Sequence, residues 1–320
     1  MKPRIAFVLG DPAGVGPEMG VKLLAQPATT QAAEVLLVAP ASTLAAGEQA
    51  AGIALDLKGL GIEHLEIPEP HGDAPLGECS VAAGASAFSS LTTAVDLVRS
   101  GQADGIVFAP LNKHSLRMAG MGEEDELRFM QKRFGVREFV CEFNITGGLW
   151  TSRVTSHVPV KDVAALITPE AVRDAVLIID RALRRAGVAQ PRIAVSGLNP
   201  HAGDNGSIGT EEIEVIAPAV EKLKRDGIGA SGPWSPDTVF IAARRGDFDA
   251  VVSMYHDQGQ IAMKLMGFER GVTLHGGLPV PVATSASGSA FDIAGKGVAR
   301  VEGLQAAFDL AVRMAVRARV

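Results

Sequence analysis

The chain has 320 residues, of which 47% are hydrophobic and 21% are charged, and its formal net charge at pH 7 is −6. This composition is typical of a water-soluble globular protein that is long enough for two domains. The acidic balance and the absence of a basic block argue against nucleic acid or an anionic membrane as a partner, and two distant cysteines give no disulfide framework.

Short apolar runs alternate with longer amphipathic segments along the chain. The predicted strands are residues 5–9, 35–39, 105–109, 139–143, 193–196 and 250–254, and the clearest predicted helices are residues 171–186 and 211–225. This alternation predicts a mostly parallel sheet with helices on both faces. No apolar run reaches the length of a membrane span or of a signal-peptide core, so we expect a cytoplasmic protein.

A glycine-rich string, Gly-Asp-Pro-Ala-Gly-Val-Gly-Pro-Glu at residues 10–18, follows the first predicted strand. Its glycines permit a tight turn and the close approach of a ligand, and Pro17 and Glu18 suit the first turn of a helix. The string lacks the spacing of a dinucleotide-binding motif. A plain strand-to-helix turn remains an equal interpretation.

Three of the seven histidines lie in polar strings punctuated by glycine or proline. His157 lies in Thr-Ser-His-Val-Pro, His201 in Asn-Pro-His-Ala-Gly, and His256 in Tyr-His-Asp-Gln-Gly. Imidazole is a common metal ligand, and three protein ligands leave coordination positions open for a substrate. The pattern indicates a catalytic divalent metal, although His201 could instead be a turn residue bonded to its own backbone.

Other polar residues near these strings are candidates for catalysis and binding. We expect Asp257 to orient His256 or to act as an acid or base. Asp237 is a second candidate carboxylate, with a helix N-cap as the alternative. Lys264 either contacts an anionic substrate or extends along an apolar surface to water. The small residues of 288–297 would admit a flat polar ligand such as adenine, or form a loop before the last helix.

Together these strings resemble the 4-hydroxythreonine-4-phosphate dehydrogenase (PdxA) family of vitamin B6 biosynthesis, most clearly in Leu-Asn-Pro-His-Ala-Gly at 198–203 and Tyr-His-Asp-Gln-Gly at 255–259. The resemblance implies an isocitrate/isopropylmalate dehydrogenase-like α/β fold, with two α/β/α domains and a cleft between them. Residues 1–125 and 270–320 would carry the chain termini and the cofactor loop. Residues 126–269 would carry the metal ligands and the dimer interface.

The resemblance also implies a homodimer with a shared active site, a divalent metal (zinc, or magnesium, manganese or cobalt), and NAD, with NADP as an alternative. His157, His201 and His256 match the family's metal ligands, from both subunits, and Asp237, Asp257 and Lys264 match its substrate contacts. The residues that match the NAD-binding region of the related dehydrogenases are Gly288, Ser289, Ala290 and Asp292, next to Ser287, where a histidine is usual.

The string that holds the substrate phosphate in this family departs from its usual form. Its place reads Asp-Glu-Leu-Arg at 125–128, so that Glu126 and Leu127 replace phosphate contacts, and Thr273 and Val282 replace an asparagine and an arginine. A carboxylate would repel a phosphate dianion. We therefore expect a non-phosphorylated hydroxy acid or dihydrodiol carboxylate as substrate, as in the related terephthalate cis-dihydrodiol dehydrogenase.

The expected reaction is the NAD-dependent oxidation of a secondary alcohol assisted by the metal, followed by decarboxylation of the product. Asp257 or Lys113 would assist deprotonation. One alternative is authentic 4-hydroxythreonine-4-phosphate oxidation, with the phosphate bound by Arg128, Arg117 or His114. Another is a non-catalytic protein that binds a metal or a nucleotide.

Overall fold

The computed structural model describes residues 2–72, 74–267 and 270–318. The strands in chain order are β1 (Arg4–Val8), β2 (Glu34–Ala39), β3 (Glu63–Glu66), β4 (Gly105–Phe108), β5 (Cys141–Thr146), β6 (Leu149–Arg153), β7 (Ile193–Ser196), β8 (Ala230–Trp234), β9 (Ala250–Ser253), β10 (Val272–Gly276) and β11 (Val282–Ser285). The chain divides into two compact units. Unit 1 comprises Met1–Arg137 and Glu269–Val320, and unit 2 comprises Glu138–Phe268.

The helices of the described residues lie between these strands. In chain order they are α1 (Gly16–Leu24), α2 (Pro27–Ala32), α3 (Ala41–Ala51), α4 (Leu57–Leu60), α5 (Val81–Arg99), α6 (Lys113–Met118), α7 (Glu126–Phe134), α8 (Val160–Leu166), α9 (Pro169–Ala186), α10 (Ala217–Arg225), α11 (Val239–Arg244), α12 (His256–Gly267) and α13 (Glu302–Ala318).

The sheet strands of unit 1 follow the order β3-β2-β1-β4-β11-β10. All neighbours in this order are parallel except β10 and β11, which are antiparallel. Every residue of β1 after Arg4 is buried, and so is every residue of β4. Strands that are apolar on both faces are typical of a parallel sheet covered by helices on each side.

Helix α5 of unit 1 is long and apolar enough to cross a membrane by length and composition alone. Of its most apolar window, 56% is buried inside the structure. Ser80 caps its first turn by accepting from the backbone N–H of Ala83. Burial of this extent is what a core helix of a globular unit shows.

The strands of unit 2 follow the order β5-β6-β9-β7-β8, with β5 antiparallel to β6 and the remaining pairs parallel. Helix α9 has an N-cap at Thr168, proline at its first position and a left-handed glycine, Gly187, at its end. These are the expected start and stop residues of a helix. Phe240 and Met263 pack with Val251 of β9 in the core of this unit.

The predicted strands and helices correspond to observed elements, with shifts at their ends. The run predicted at 139–143 forms β5 at Cys141–Thr146, and the helix predicted at 211–225 begins as a π-helical segment, Glu212–Ile216, before α10. The strands without a sequence-based prediction are β3, β6, β8, β10 and β11. Several of these carry charged, polar or Gly-Pro residues, which hide the apolar pattern.

Candidate active site

The three histidine strings follow three neighbouring parallel strands of unit 2. His157 follows β6, His256 follows β9 and His201 follows β7. The carboxyl ends of parallel strands meet at one edge of a sheet, where α/β proteins commonly bind ligands. The fold of unit 2 therefore collects residues that lie up to a hundred positions apart in the sequence.

Hydrogen bonds join the His157 string to the His256 string. The backbone N–H and the hydroxyl of Thr155 both donate to the carbonyl of Met254, at 3.0 and 2.8 Å. The ring centroids of His157 and His256 lie 5.7 Å apart. The two imidazoles are therefore neighbours in a single chain.

A buried arginine supports the segment before His157. Arg153 donates through Nε to Ser156 Oγ at 2.9 Å and through Nη1 to Asn144 Oδ1 at 3.2 Å. Its Nη2 lies 3.3 Å from Glu142 Oε2. Because Arg153 is buried and paired, these bonds restrict the path of the chain from the end of β6 to His157.

Gln258 links the ends of β9 and β7. Its Oε1 accepts from the N–H of Met254 at 2.7 Å, and its Nε2 donates to the carbonyl of Gly197 at 2.9 Å. One residue earlier, Asp257 Oδ1 lies 2.7 Å from Nδ1 of His256. When that nitrogen carries the proton that Asp257 accepts, Nε2 retains the lone pair that a metal ion needs.

His201 lies on a loop whose backbone is left-handed over five consecutive residues. The φ angles of His201, Ala202, Gly203, Asp204 and Asn205 are 54°, 53°, 79°, 42° and 54°. Each non-glycine residue in this region costs about 1–2 kcal/mol, and less for aspartate and asparagine. Conformations of this kind persist where surrounding contacts hold them, often at functional sites.

A cavity of about 660 Å³ lies wholly within unit 2. Its polar lining includes His201, Asp237 and Asp257, and its apolar lining includes Ile261 and Leu265. The hydroxyl of Ser235, which donates to Asp237 Oδ1 at 2.6 Å, lowers the pKa of Asp237, and His201 acts in the same direction.

Asp237 does not cap the following helix, as the alternative interpretation from the sequence had it. Helix α11 begins after Thr238 and has no side-chain cap. The carboxylate of Asp237 is exposed beside His201 instead. Lys264 is exposed on α12.

The donor set suits a divalent transition metal. Among the described residues, however, the ligand atoms of His157, His201 and His256 do not form one group within 4.8 Å of each other. His157 and His256 are adjacent, whereas His201 lies in the cavity next to Asp237. In one chain, the three imidazoles are therefore not gathered into a single group of metal ligands.

In unit 1, the first and last glycine-rich strings pack against each other. The N–H of Val15 donates to the carbonyl of Ser289 at 2.9 Å, and a Cβ at Gly14 would lie 2.7 Å from the same oxygen. Glu18, predicted only to suit a helix dipole, is buried and accepts from the N–H of Ala299 at 2.7 Å. The absence of a side chain at Gly14 allows the carbonyl of Ser289 to approach the backbone closely.

The residues expected to bind the cofactor have different environments within this loop. Gly288 has open space around its α-carbon, and Asp292 is exposed on a short 3-10 turn. Ala290 has a φ of 42°, and the buried Ser289 Oγ has no hydrogen-bond partner among the described residues. A buried hydroxyl without a partner is a group that a polar ligand could satisfy.

The residues at the family's phosphate positions are mostly buried in unit 1. Asp125 caps α7 by accepting from the N–H of Arg128 at 2.8 Å. Glu126 is buried, and Leu127 is 3% exposed. Val282 is fully buried in β11, and Thr273 of β10 is partly exposed. The carboxylate of Asp125 is thus occupied in capping, and Leu127 packs in the core.

The basic candidates of unit 1 lie on α6 and α7. Lys113 and His114 are exposed at the start of α6. Arg117 donates to the carbonyl of Glu124 at 2.9 Å. Arg128 donates to Gln131 Oε1 at 2.9 Å.

Comparison with solved structures first establishes the class. An isocitrate dehydrogenase from Methylococcus capsulatus aligns with a TM-score of 0.51 at 16% identity, over 99% of this chain and 88% of that chain, which shows the shared fold. A 4-hydroxythreonine-4-phosphate dehydrogenase from Klebsiella pneumoniae aligns with a TM-score of 0.84 at 35% identity, over 98% of both chains. The predicted isocitrate dehydrogenase-like α/β fold is confirmed, and the class is that of a dehydrogenase.

Sequence comparison then gives the family. The family described as pyridoxal phosphate biosynthetic protein PdxA matches residues 19–311, and the chain belongs to it. A Pseudomonas aeruginosa protein, provisionally named 4-hydroxythreonine-4-phosphate dehydrogenase 2, is 50% identical over 98% of this chain and 97% of its own length. A D-threonate 4-phosphate dehydrogenase of Bordetella bronchiseptica is 37% identical over 98% of this chain and 93% of its own.

The expectation of a non-phosphorylated, decarboxylated diol substrate was wrong. Three relatives that are 50%, 42% and 38% identical to this chain carry names for phosphorylated substrates. The terephthalate 1,2-cis-dihydrodiol dehydrogenase of Burkholderia xenovorans is 29% identical and aligns with a TM-score of 0.67, over 94% of this chain and 95% of its own. The physical error was to count Glu126 as a free charge in a binding site, although its side chain is buried on α7.

Several residues that organise the site were not predicted as site residues. Thr155, Gln258 and Arg153 were present in or beside the quoted strings but had no assigned role. Glu212 was predicted only as part of the helix at residues 211–225. Its burial and its long-range contacts depend on the folded loop, so no local signal distinguishes it from a surface glutamate.

Proposed function

We propose that this protein is a metal-assisted, NAD- or NADP-dependent dehydrogenase that oxidises the secondary alcohol of a 4-phosphorylated four-carbon acid. The candidates are 4-hydroxythreonine 4-phosphate and threonate 4-phosphate. The observation that carries the proposal is the linked set of histidine strings on unit 2, in a chain whose relatives bear these dehydrogenase names. We propose that it acts in the cytoplasm, as expected of a soluble metabolic enzyme.

His157, His201 and His256 would hold the metal ion. A bound divalent ion supplies Lewis-acid chemistry, which lowers the pKa of a substrate hydroxyl and stabilises the nascent carbonyl. Asp257 fixes the ring of His256 through Nδ1. Because the three rings do not form one group of metal ligands in one chain, we propose that a second copy of the chain completes the ligand set in a homodimer.

The exposed apolar side chains of unit 2 support an interface between two copies. Leu265 is 84% exposed, and Ile261 and Ile241 are also exposed. Leu265 and Ile261 line the same cavity as His201. Burial of such side chains against a symmetric copy would be favourable at about 25 cal/mol per Å² of apolar surface.

The remaining residues would bind the substrate and move its proton. The ionised carboxylate of Asp237, held by Ser235, can accept a hydrogen bond from a substrate hydroxyl. Asp257 or Lys113 would receive the proton of the oxidised alcohol, directly or through water. Lys264, and Thr273 of unit 1, are proposed substrate contacts, whereas Leu127 and Val282 would act through packing because they are buried.

The loop of residues 288–297 would bind the dinucleotide, which accepts the hydride when bound. Its small residues leave room for a flat ring, and among the described residues the hydroxyl of Ser289 has no hydrogen-bond partner. For the substrate phosphate, we propose two other basic residues of α6, with His114 exposed and Arg117 one turn further on. Histidine and arginine can bind a phosphate by charge-assisted hydrogen bonds.

A substrate comparison tests the proposal. Purified protein with NAD or NADP and Zn²⁺, Mg²⁺, Mn²⁺ or Co²⁺ is assayed for nicotinamide reduction with both phosphorylated acids and with their unphosphorylated forms. We expect turnover of a phosphorylated acid, its loss with a chelator, and a higher KM in a His114→Ala variant. Equal turnover of the unphosphorylated acids, or activity that survives chelation, would contradict the proposal.

A further inference from the structure

We propose that Glu212 is a positioning residue that holds the loop of His201 in the geometry required to present its imidazole. The inference rests on the proposed function, in which His201 is a metal ligand. Glu212 lies eleven residues after His201 and opens the π-helical segment of unit 2. Its side chain is 2% exposed.

The loop has a conformation that its own residues do not favour. His201 and Ala202 have positive φ angles, and the next three residues are also in the left-handed backbone conformation. Without outside contacts, this stretch would relax to right-handed or extended backbone, because only Gly203 adopts positive φ without steric cost. The direction of the His201 side chain follows from its backbone, so relaxation would move the imidazole.

Glu212 bonds to the residues that enter the loop. Its Oε1 accepts from the N–H groups of Leu198 and Asn199, both at 2.7 Å. Its Oε2 accepts from Nδ2 of Asn199 at 2.9 Å. A buried carboxylate that accepts three N–H donors is well compensated for its lost hydration.

The same carboxylate also lies against the middle of the loop. A Cβ at Gly203 would lie 2.7 Å from Glu212 Oε2. Glu212 therefore contacts the loop on both sides of His201, at Asn199 and at Gly203. We infer that the side chain serves as the support around which the left-handed turn folds.

Neighbouring glutamates provide a contrast on the same segment. Glu211 accepts from Asn199 Nδ2 at 2.7 Å but is partly exposed. Glu214 is exposed, and within the described part of the chain its backbone N–H donates to the carbonyl of Thr210 at 2.8 Å whereas its side chain makes no hydrogen bond to the loop. Glu214→Ala is therefore a matched control, since it removes the same kind of side chain from the same segment.

The test measures metal binding and loop motion in the full-length protein. Zn²⁺ affinity is measured by calorimetry and Co²⁺ coordination by visible absorption, for the wild type and for Glu212→Ala, Glu212→Gln, Glu214→Ala and His201→Ala. Hydrogen exchange of residues 198–209 reports the loop, and thermal unfolding reports overall stability. We expect Glu212→Ala to weaken Zn²⁺ binding by about 10- to 100-fold, to change the Co²⁺ spectrum and to speed exchange in the loop.

Glu212→Gln keeps one acceptor oxygen and should lose less Zn²⁺ affinity than Glu212→Ala. If the alanine variant does not fold, the Zn²⁺ affinity of Glu212→Gln tests the positioning role. Wild-type Zn²⁺ affinity and an unchanged Co²⁺ spectrum in the folded Glu212 variants would overturn the inference, whatever the exchange rates. If His201→Ala also binds Zn²⁺ like the wild type, the metal assignment itself fails. If His201→Ala loses Zn²⁺ while the Glu212 variants keep it, only the positioning role fails.

Discussion

At the scale of single residues, the structure assigns different tasks to carboxylates that look alike in the sequence. Asp257 orients an imidazole, Asp237 lies exposed beside His201, and Asp125 caps a helix. Asp11 is fully buried, and its Oδ1 accepts from the N–H of Ala13 at 2.8 Å. These roles depend on partners that the fold supplies, which explains why the sequence indicated candidates but misjudged Glu126, which is buried on α7.

Asp11 should make stability depend on pH. Burial raises its pKa from 3.8 to about 6, partly opposed by the Ala13 N–H and by Ser115. The folded protein thus holds this proton more tightly than the unfolded chain. Its contribution to stability is fully present below pH 3.8 and is lost as the pH rises through about 6.

An Asp11→Asn variant removes this titration. We expect its free energy of unfolding, relative to the wild type, to increase between about pH 4 and pH 7 by up to about 3 kcal/mol. Denaturant unfolding of both proteins across this range measures the difference. A difference that does not change with pH would show that Asp11 titrates normally.

At the scale of elements, the sequence predicted the helices and strands whose start, stop and apolar residues are close together in the chain. Helix α9 has its cap, its first-turn proline and its terminal glycine in sequence, and β1 is a continuous apolar run. The left-handed loop at His201 and the π-helical segment at Glu212 have no such local pattern. They exist because Glu212 and Asn199 bond across the loop, and a contact of this kind is visible only in the folded chain.

Variants of Asp125 test whether its carboxylate caps helix α7 or binds the substrate. If its carboxylate acts as the N-cap of α7, Asp125→Ala should lower the free energy of unfolding by about 1 kcal/mol. Asp125→Asn keeps a capping oxygen and should be close to the wild type. Thermal or denaturant unfolding measures both. If both variants keep full stability and Asp125→Asn instead tightens binding of the phosphorylated substrate, the carboxylate lies in the substrate site.

At the scale of the molecule, the two units carry different parts of the proposed chemistry. Unit 2 carries the three histidines, the cavity and the exposed apolar side chains. Unit 1 carries the paired glycine-rich strings. The α/β class and the family could be predicted from the sequence, because the histidine strings and the glycine strings are contiguous. The substrate could not, since its recognition depends on which charges the fold leaves free.

The most direct test of the shared metal site is a mixing experiment with two inactive variants, His201→Ala and His256→Ala. If His201 of one copy completes the site of another, random exchange of subunits should create one intact site in each mixed dimer. Activity and Zn²⁺ binding should then recover to about one quarter of the wild-type level. Each variant alone should stay inactive. Absence of any recovery in mixtures that are shown to exchange subunits would contradict a site completed by two chains.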